Sequence, residues 1–238
     1  MPGLGPIGHA HFLHRAWRYR LRTERAEIAY LRSLDLTGRT AVDIGAHRGI
    51  FSYWMSKAVG PTGRVVAFEP QPEMIRQLHD FRTSFFWIKH FELVESGLSD
   101  APGQATMRRV GDHTGGASID RTNRPNTVEF TIPLTTLDAH FAAHPPERPV
   151  GFIKCDVEGH ERAVFRGAKE TLRRHRPCVL FECHDAEAAE GGVFRDFEEL
   201  GYRGWFMHGR HRHPITQLAA HRADIDLPYL NYIFEPAA

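Results

Sequence analysis

The alternation of apolar and polar positions predicts strands and helices that follow one another along most of the chain. Short apolar runs, each read as a strand, alternate with segments of helical periodicity. The predicted strands span residues 40–45, 64–69, 91–94, 150–157, 178–183, 202–207 and 229–234, and the main helices between them cover 50–59, a segment from 72, 161–174 and 193–200. This order is typical of a parallel sheet covered by helices on both faces. We therefore expect seven strands, mostly parallel, with the last two antiparallel at one edge.

The first 37 residues form a separate predicted unit. Leu13, Trp17 and Leu21 are spaced at i, i+4 and i+8, and helical periodicity continues over residues 10–34. Five arginines, Arg15, Arg18, Arg20, Arg22 and Arg25, crowd the same region. We expect a helical extension at 1–37 that packs on a domain at 38–238 and leaves its arginines in solvent. The alternative is a basic amphipathic helix that touches an anionic surface or covers a substrate.

Residues 101–135 interrupt the alternation. Four glycines punctuate this stretch, and residues 104–110 and 127–134 alternate polar and apolar side chains. Such a pattern predicts a half-exposed hairpin or extension. We interpret it as an insertion near the substrate site and not as a second domain.

Composition narrows the class of protein. The chain is 42% hydrophobic and 25% charged, as in ordinary globular domains. A net charge of +1 gives no electrostatic case for a nucleic-acid partner.

The N-terminus has no apolar signal core and no apolar run is long enough to span a bilayer, so we expect a cytoplasmic protein. Three cysteines without paired metal spacing are expected to be free thiols.

A glycine turn after the first strand is the first candidate site. Asp43 ends the apolar run, Gly45 follows two residues on, and Gly49 opens the next helix. Gly45 permits a sharp turn and close approach of a ligand. A carboxylate at position 43 would repel a pyrophosphate but suits an ammonium or sulfonium group. A nicotinamide-dependent oxidoreductase is therefore the weaker alternative, and a turn with glycines for geometry only is the plain structural one.

Two further strand ends are predicted to border the same ligand. Glu69 ends the second strand, 24 positions after Gly45. An acid there accepts hydrogen bonds from ribose hydroxyls. The segment 96–100 follows the third strand and is positioned to border an adenine through its backbone amides and Leu98. Ligands bind outside the carboxyl ends of the strands in such sheets.

A second polar group follows the fourth and fifth strands. Asp156, Glu158 and His160 lie just beyond one apolar strand, and Glu182 and His184 end the next. Lys154 stands within the first of these strands and could simply pair with an acid. Acids at a strand end are costly unless they are paired or used. We therefore expect both strand ends to face the reacting group of a bound ligand.

Taken together and in order, these segments resemble one family. Asp-Ile-Gly-Ala-His-Arg-Gly, Ala-Phe-Glu-Pro, Gly-Leu-Ser-Asp, Thr-Thr-Leu-Asp and Ile-Lys-Cys-Asp-Val-Glu-Gly-His-Glu resemble the FkbM family of S-adenosylmethionine-dependent methyltransferases over residues 38–185. The resemblance implies an α/β class I methyltransferase, a Rossmann-like three-layer sandwich. Family members resemble O-methyltransferases of sugars, glycolipids and polyketide-type molecules. Where His47 stands, the family more often carries Asn.

The resemblance also implies roles for individual residues. S-adenosylmethionine is expected to contact Asp43, Gly45, Ala46, His47, Gly49, Glu69, Ser96, Gly97, Leu98 and Asp156. An alcohol acceptor loses its proton as the methyl bond forms, and the candidate bases are Asp156, Glu158 and His160. Lys154, Glu182 and His184 are expected to bind a small-molecule or glycan acceptor. A divalent cation on Asp156, Glu182 and His184 is a minority alternative, and a non-catalytic protein that only binds the cofactor is another.

Overall fold

The chain folds around one large, mostly parallel sheet. The computed structural model describes residues 4–85, 88, 90–111, 114–119, 125–184, 192–209, 211–221, 225 and 229–237, without the side chain of His184. The strands of the main sheet are β1 (Thr40–Ile44), β2 (Arg64–Phe68), β3 (Phe91–Val94), β7 (Val150–Cys155), β8 (Cys178–His184), β9 (Tyr202–His208), β10 (His211–Pro214) and β11 (Tyr229–Pro236). A smaller sheet contains β4 (Gly97–Leu98), β5 (Gly103–Val110) and β6 (Thr127–Thr135).

The main sheet has the strand order β10-β9-β11-β8-β7-β1-β2-β3. The five strands from β8 to β3 are parallel, and β11 lies antiparallel between β8 and β9. The predicted α/β fold is confirmed, but the predicted count of seven strands is wrong, since this sheet has eight. The additional strand is β10, which pairs antiparallel with β9 at the outer edge. Its segment was not predicted as a strand, because its histidines and arginines do not form an apolar run.

Helices cover both faces of the main sheet, as the buried strands require. One face is covered by α1 (Pro6–Arg18), α2 (Arg25–Ser33), α3 (Ile50–Val59) and α4 (Pro72–Ser84). The other is covered by α5 (Leu137–Ala143), α6 (Glu161–Arg166), α7 (Lys169–His175) and α8 (Gly192–Glu199). Successive strand residues point to opposite faces. In β1, for example, Ala41 packs under α3 while Val42 joins the opposite core.

The N-terminal extension is helical but interrupted. Residues 10–34 were predicted as one helical stretch, whereas a π-helical turn at Tyr19–Thr23 separates α1 from α2. Glu24 follows this turn with non-helical φ of −117° and ψ of 44°. A π-helical turn inserts an extra residue and rotates the helix that follows, and such turns are frequent at functional sites. Both helices pack on α3.

The insertion at 101–135 contributes most of the smaller sheet. β5 and β6 form the expected antiparallel pair, and β4 joins β6 in parallel. Met107, Ala117 and Ile132 form a small apolar cluster on this sheet. The sequence pattern predicted the hairpin but not its third strand, since Gly97–Leu98 is too short to carry a periodicity.

The predicted helix over 161–174 is also divided in two. A Cβ atom built on Gly167 would lie 2.1 Å from the carbonyl oxygen of Ser99. The backbone at Gly167 is therefore in direct contact with the residue that follows β4. α6 ends at Arg166 and α7 begins at Lys169. Thr136, as the N-cap of α5, accepts a hydrogen bond of 2.9 Å from the amide of Ala139.

No described helix combines the length and the apolar character that crossing a membrane requires. Cys155, Cys178 and Cys183 are all free thiols, two of them buried.

Candidate cofactor and acceptor site

The glycine turn after β1 is held by direct backbone contact with the loop after β7. Gly45 has a φ of +76°, and a Cβ atom there would lie 2.0 Å from the carbonyl oxygen of Asp156. Gly49 also has a φ of +76° and would bring a Cβ to 3.0 Å from the side chain of Leu78. Positive φ strains any residue with a Cβ. Both glycines are therefore explained by packing before any ligand is considered.

Asp43 lies behind this turn and not in the cavity in front of it. Its carboxylate is fully buried on the α3 side of the sheet, where the hydroxyl of Ser52 donates a hydrogen bond of 2.6 Å. Burial raises the pKa of this carboxyl group, and the ammonium of Lys154 partly opposes the change. The Oδ1 atom has no hydrogen-bond partner among the described residues. The predicted contact of Asp43 with the cofactor stays a prediction.

A cavity opens at the carboxyl ends of β1, β2, β3 and β7. It encloses about 680 Å³ free of protein atoms, open solvent included, within the usual range for small-molecule sites. Its wall includes predicted cofactor residues from all four strand ends, namely Gly45, His47, Glu69, Ser96, Gly97, Leu98 and Asp156. The smaller sheet covers it with Met107, Ala117, Ile119 and Ile132. Ala46 and Gly49 lie in the turn but do not line this cavity.

Glu69 is the buried acid of this cavity. Its two carboxylate oxygens accept hydrogen bonds from the backbone amides of His47 at 2.7 Å and Gln71 at 2.9 Å. Burial raises the pKa of Glu69 to about 7, although these two amides favour the ionised form. Each oxygen keeps a further lone pair, so the carboxylate is able to accept hydrogen bonds from a diol.

His47 connects the glycine turn to the insertion. It adopts a φ of +49°, and its Nε2 atom lies 2.9 Å from the hydroxyl of Thr114. Gln71 donates from its side-chain amide to the Thr114 carbonyl at 3.1 Å. Burial and the nearby Arg48 guanidinium lower the pKa of His47 to about 4, so the ring is neutral at pH 7. Thr114 was not predicted as a site residue, because it is 67 positions from His47 in sequence and only the fold brings it to the glycine turn.

His160 lies at the end of the cavity that the 96–98 segment borders. Its Nε2 atom is 2.9 Å from the hydroxyl of Ser99, next to β4. Both Ser96 and His160 line the cavity. The structure thus brings together the predicted adenine segment and one of the predicted bases.

The loop between β7 and α6 is folded around a buried acid that was not assigned a role. The Glu161 carboxylate accepts hydrogen bonds from the amides of Val157 at 3.2 Å and Gly159 at 3.1 Å. Burial raises the pKa of Glu161 to about 7. Glu158, at the tip, has a φ of +56°, and its carbonyl accepts a 2.7 Å hydrogen bond from Ser118 of the insertion. Glu161 therefore shapes the loop that carries Asp156 and Glu158.

Polar residues from four neighbouring strands share the α2 side of the sheet. Asp43 is in register with Lys154, and Glu182 is in register with Asn231. The Lys154 ammonium lies 2.9 Å from Asp156 and 4.7 Å from the centre of the Phe51 ring. Burial alone would lower the pKa of Lys154, but Asp156 and Asp43 more than reverse this and raise it. Lys154 thus neutralises two acids in the same row.

Three carboxylates converge beside this lysine. Oxygens of Asp156, Glu158 and Glu182 all lie within 4.8 Å of one another. Burial, and then the charges of Asp156 and Glu158, raise the pKa of Glu182 to about 8. Such a group is able to hold a divalent cation or several hydroxyl groups. His184 follows on the same strand, but its side chain lies outside the described residues.

The N-terminal extension adds an acid that the sequence patterns did not indicate. Burial raises the pKa of Glu24 to about 7, and its charge interacts with those of Glu27, Lys154 and Asp156. One turn further along α2, the Glu27 carboxylate accepts a 3.1 Å hydrogen bond from Asn231. Glu24 follows the π-helical turn, and its charge also contributes to the raised pKa of Glu182 on β8. A charged residue in an arginine-rich helix gives no local signal of such a position.

The fold and the cavity together define a class I S-adenosylmethionine-dependent methyltransferase. Residues 43–204 match the methyltransferase FkbM domain, so the chain belongs to the FkbM methyltransferase family. The predicted family is confirmed, and the dehydrogenase alternative loses its support. No protein of curated function matches the sequence.

Solved structures support the same fold. A methyltransferase FkbM from Methylobacillus flagellatus aligns with a TM-score of 0.53 and 15% identity, over 84% of this chain and 44% of that one. The chain thus spans less than half the length of that protein. A protein described as an rRNA methylase, from Clostridium thermocellum, aligns with a TM-score of 0.54 and 12% identity, over 89% of this chain and 94% of that one.

Proposed function

We propose that this protein transfers a methyl group from S-adenosylmethionine to a hydroxyl group of a sugar, glycolipid or polyketide-type small molecule. The proposal rests on one observation, that a cavity with a partly apolar wall lies next to a group of three carboxylates. A cavity lined by Glu69 and apolar residues meets a group of carboxylates at Asp156. A methyl donor in the first would direct its methyl group towards an acceptor in the second.

The cavity fits the parts of the cofactor. Glu69 would accept hydrogen bonds from both ribose hydroxyls, and the apolar wall of Leu98, Met107 and Ile132 would cover the adenine. The backbone of the Gly45–His47 turn would border the methionine part. When bound, the cofactor supplies a methyl group already activated by the sulfonium charge. The protein then has to orient the acceptor, exclude water and take up one proton.

The acceptor's proton would pass to a carboxylate. In an in-line displacement the acceptor oxygen forms a bond to the methyl carbon while the carbon–sulfur bond breaks. Asp156, Glu158 and His160 were the predicted bases, and Glu182 joins them on its geometry. Its carboxylate lies within reach of Asp156, and a pKa raised to about 8 makes it a stronger base than an ordinary carboxylate. Lys154 would hold Asp156 in place through their 2.9 Å ion pair.

An acceptor screen tests the proposal. The protein is incubated with labelled S-adenosylmethionine and a panel of sugars, glycolipids, hydroxylated polyketides and matched amines, and cofactor binding is measured separately by calorimetry. We expect label on at least one hydroxylated acceptor. Glu182→Gln is expected to lower kcat by about 100-fold, as for loss of a general base, with cofactor affinity unchanged.

Two outcomes would contradict parts of the proposal. Label on amines alone would replace oxygen by nitrogen as the acceptor atom. Cofactor binding without transfer to any class of acceptor would favour the non-catalytic alternative. A parallel screen with a chelator tests a divalent cation on Asp156, Glu158 and Glu182, and abolished transfer there would add a metal to the mechanism.

A further inference from the structure

The outer face of the N-terminal extension leaves apolar side chains exposed, although the Trp17 ring also lies edge-on to the buried Trp54 with ring centres 5.6 Å apart. Ile7 is 79% exposed, Trp17 45% and Leu21 57%. Trp17 and Leu21 are about one turn apart, and Ile7 precedes Trp17 by about three turns, so all three fall on one side of the helix. The other exposed large apolar residues among those described, Val110, Val128 and Tyr229, are on strands elsewhere.

The opposite side of this helix is fixed on the domain. Phe12 packs against Phe81 with ring centres 5.1 Å apart, and the indole N–H of Trp54 donates to the carbonyl of Ala16 at 3.2 Å. Ala16 is fully buried. The helix therefore cannot turn its outer face inward to bury Ile7 or Leu21.

Unpaired arginines accompany these apolar side chains. Arg18, Arg22 and Arg25 are exposed. None of them has an ion-pair partner within the part of the chain that the structure describes. Residues 1–23 contain four arginines and no aspartate or glutamate, whereas the whole chain has a net charge of only +1. The basic charge is thus concentrated where the apolar side chains are exposed.

We propose that this outer face, made of Ile7, Trp17, Leu21, Arg18 and Arg22, binds the surface of an anionic phospholipid membrane. The apolar side chains would enter the boundary between head groups and acyl chains, and the arginines would pair with lipid phosphates. Long arginine side chains reach the phosphate layer while their stems remain in apolar contact. RNA would satisfy the arginines but leave Ile7 and Leu21 in water. A second copy of the chain would bring like charges together.

Vesicle binding tests the proposal without reference to methyl transfer. The full-length protein is sedimented with vesicles of equal parts phosphatidylglycerol and phosphatidylcholine, and with vesicles of phosphatidylcholine alone. We expect binding to the anionic vesicles only, reduced strongly at about 1 M salt, where the Debye length is about 3 Å. Because no acceptor is present, the result is independent of the proposed reaction.

Matched pairs of substitutions locate the surface. Arg18→Gln with Arg22→Gln should weaken binding by about fivefold per arginine, and Ile7→Ser with Leu21→Ser should weaken it by at least tenfold. Arg173→Gln with Arg174→Gln, and Val110→Ser with Val128→Ser, remove comparable exposed groups elsewhere and should leave binding unchanged. Unaltered cofactor binding and thermal unfolding confirm that each variant is folded.

Three results would overturn the proposal. The first is equal binding to anionic and neutral vesicles, or none to either. The second is competition by a single-stranded RNA oligonucleotide that depends on the arginines but not on Ile7 and Leu21. The third is a dimer in lipid-free solution that the Ile7→Ser, Leu21→Ser variant abolishes.

Discussion

Gly45 lies where two backbones touch. Its absent side chain allows the carbonyl of Asp156 to approach to within the distance that a Cβ atom would occupy, 2.0 Å from it. The contact joins the turn proposed to hold the cofactor to the loop proposed to face the acceptor. A residue with a side chain at position 45 would have to displace one of these two segments.

Gly45→Ala is therefore expected to destabilise the protein more than its backbone conformation alone explains. Gly201 is the matched control, since its φ of +73° is nearly the same and its nearest neighbour is the Arg176 guanidinium at 3.6 Å. Gly201→Ala should cost about 1 kcal/mol, and Gly45→Ala more than about 3 kcal/mol. Urea unfolding measures both. Equal losses of unfolding free energy in the two variants would show that the loop after β7 moves away from position 45 at little energetic cost.

Glu69 is expected to make cofactor binding depend on pH. Because burial raises its pKa to about 7, the carboxylate that would accept from ribose hydroxyls is increasingly protonated below that pH. We expect the affinity for S-adenosylmethionine, measured by calorimetry, to fall as pH decreases from 8 to 6. Glu69→Gln should weaken binding by roughly 10- to 100-fold and remove most of this dependence. If the Glu69→Gln variant kept the full pH dependence of cofactor affinity, that dependence would belong to another titrating group.

Among the elements, the N-terminal extension differs most from its predicted role. α2 was expected to pack on the domain, and it does, but Glu24 at its start also reaches the charges at Lys154 and Asp156. The interruption of the helix by the π-helical turn is what gives Glu24 this position. The extension thus interacts electrostatically with the carboxylates proposed to face the acceptor, in addition to packing on the domain.

Glu24→Gln is expected to act on the acceptor and not on the cofactor. Loss of a hydrogen-bonding carboxylate should raise the KM for the acceptor roughly tenfold. Because the charge of Glu24 contributes to the raised pKa of Glu182, the rise of kcat with pH should also move to lower pH by a fraction of a unit. Glu27→Gln is the control one turn away, where the carboxylate is bound by Asn231, and it should leave the kcat profile unchanged.

Local sequence patterns predicted the helices and strands better than they predicted which distant residues come together in the fold. β1, β2, β7 and β8 are apolar runs ending in polar residues, and the sequence predicted each of these strands. Several residues predicted to bind the cofactor line the cavity at the strand ends, while their role stays a prediction. The sequence did not predict β4, because its two residues are too few to show a periodicity. It did not predict β10, because a strand of histidines and an arginine shows no alternation of apolar and polar positions. Thr114 and Glu24 could not be predicted as site residues. Thr114 meets His47 across 67 positions of sequence, and Glu24 interacts electrostatically with Lys154 and Asp156, which are still further along the chain.

At the scale of the whole molecule, four buried or half-buried acids make stability depend on pH. Burial raises the pKa of Glu24, Glu69 and Glu161 to about 7 and that of Glu182 to about 8. An unfolded glutamate titrates near 4.3. Their stabilising contribution is therefore complete below the unfolded pKa and is lost as pH rises through 7 to 8.

The free energy of unfolding is expected to increase as pH falls from 8 to 6.5, by about 1 to 3 kcal/mol. His47 opposes this only weakly in that range, because its pKa is lowered to about 4 while the unfolded ring becomes mainly protonated only below pH 6.5. Urea unfolding at several pH values measures the slope. Glu161→Gln should reduce it, and a slope of the opposite direction would contradict the assigned pKa values.

The backbone contact at Gly45 has a consequence for changing what the enzyme acts on. New acceptor specificity is usually sought by varying the loop nearest the reacting group, here residues 156–161. Because Asp156 is in backbone contact with Gly45, library variants in this loop are expected to lose cofactor affinity together with the old acceptor. Start points for directed evolution are better chosen at Glu24 and Tyr229, whose charges interact with those of the carboxylates and which lie outside residues 156–161.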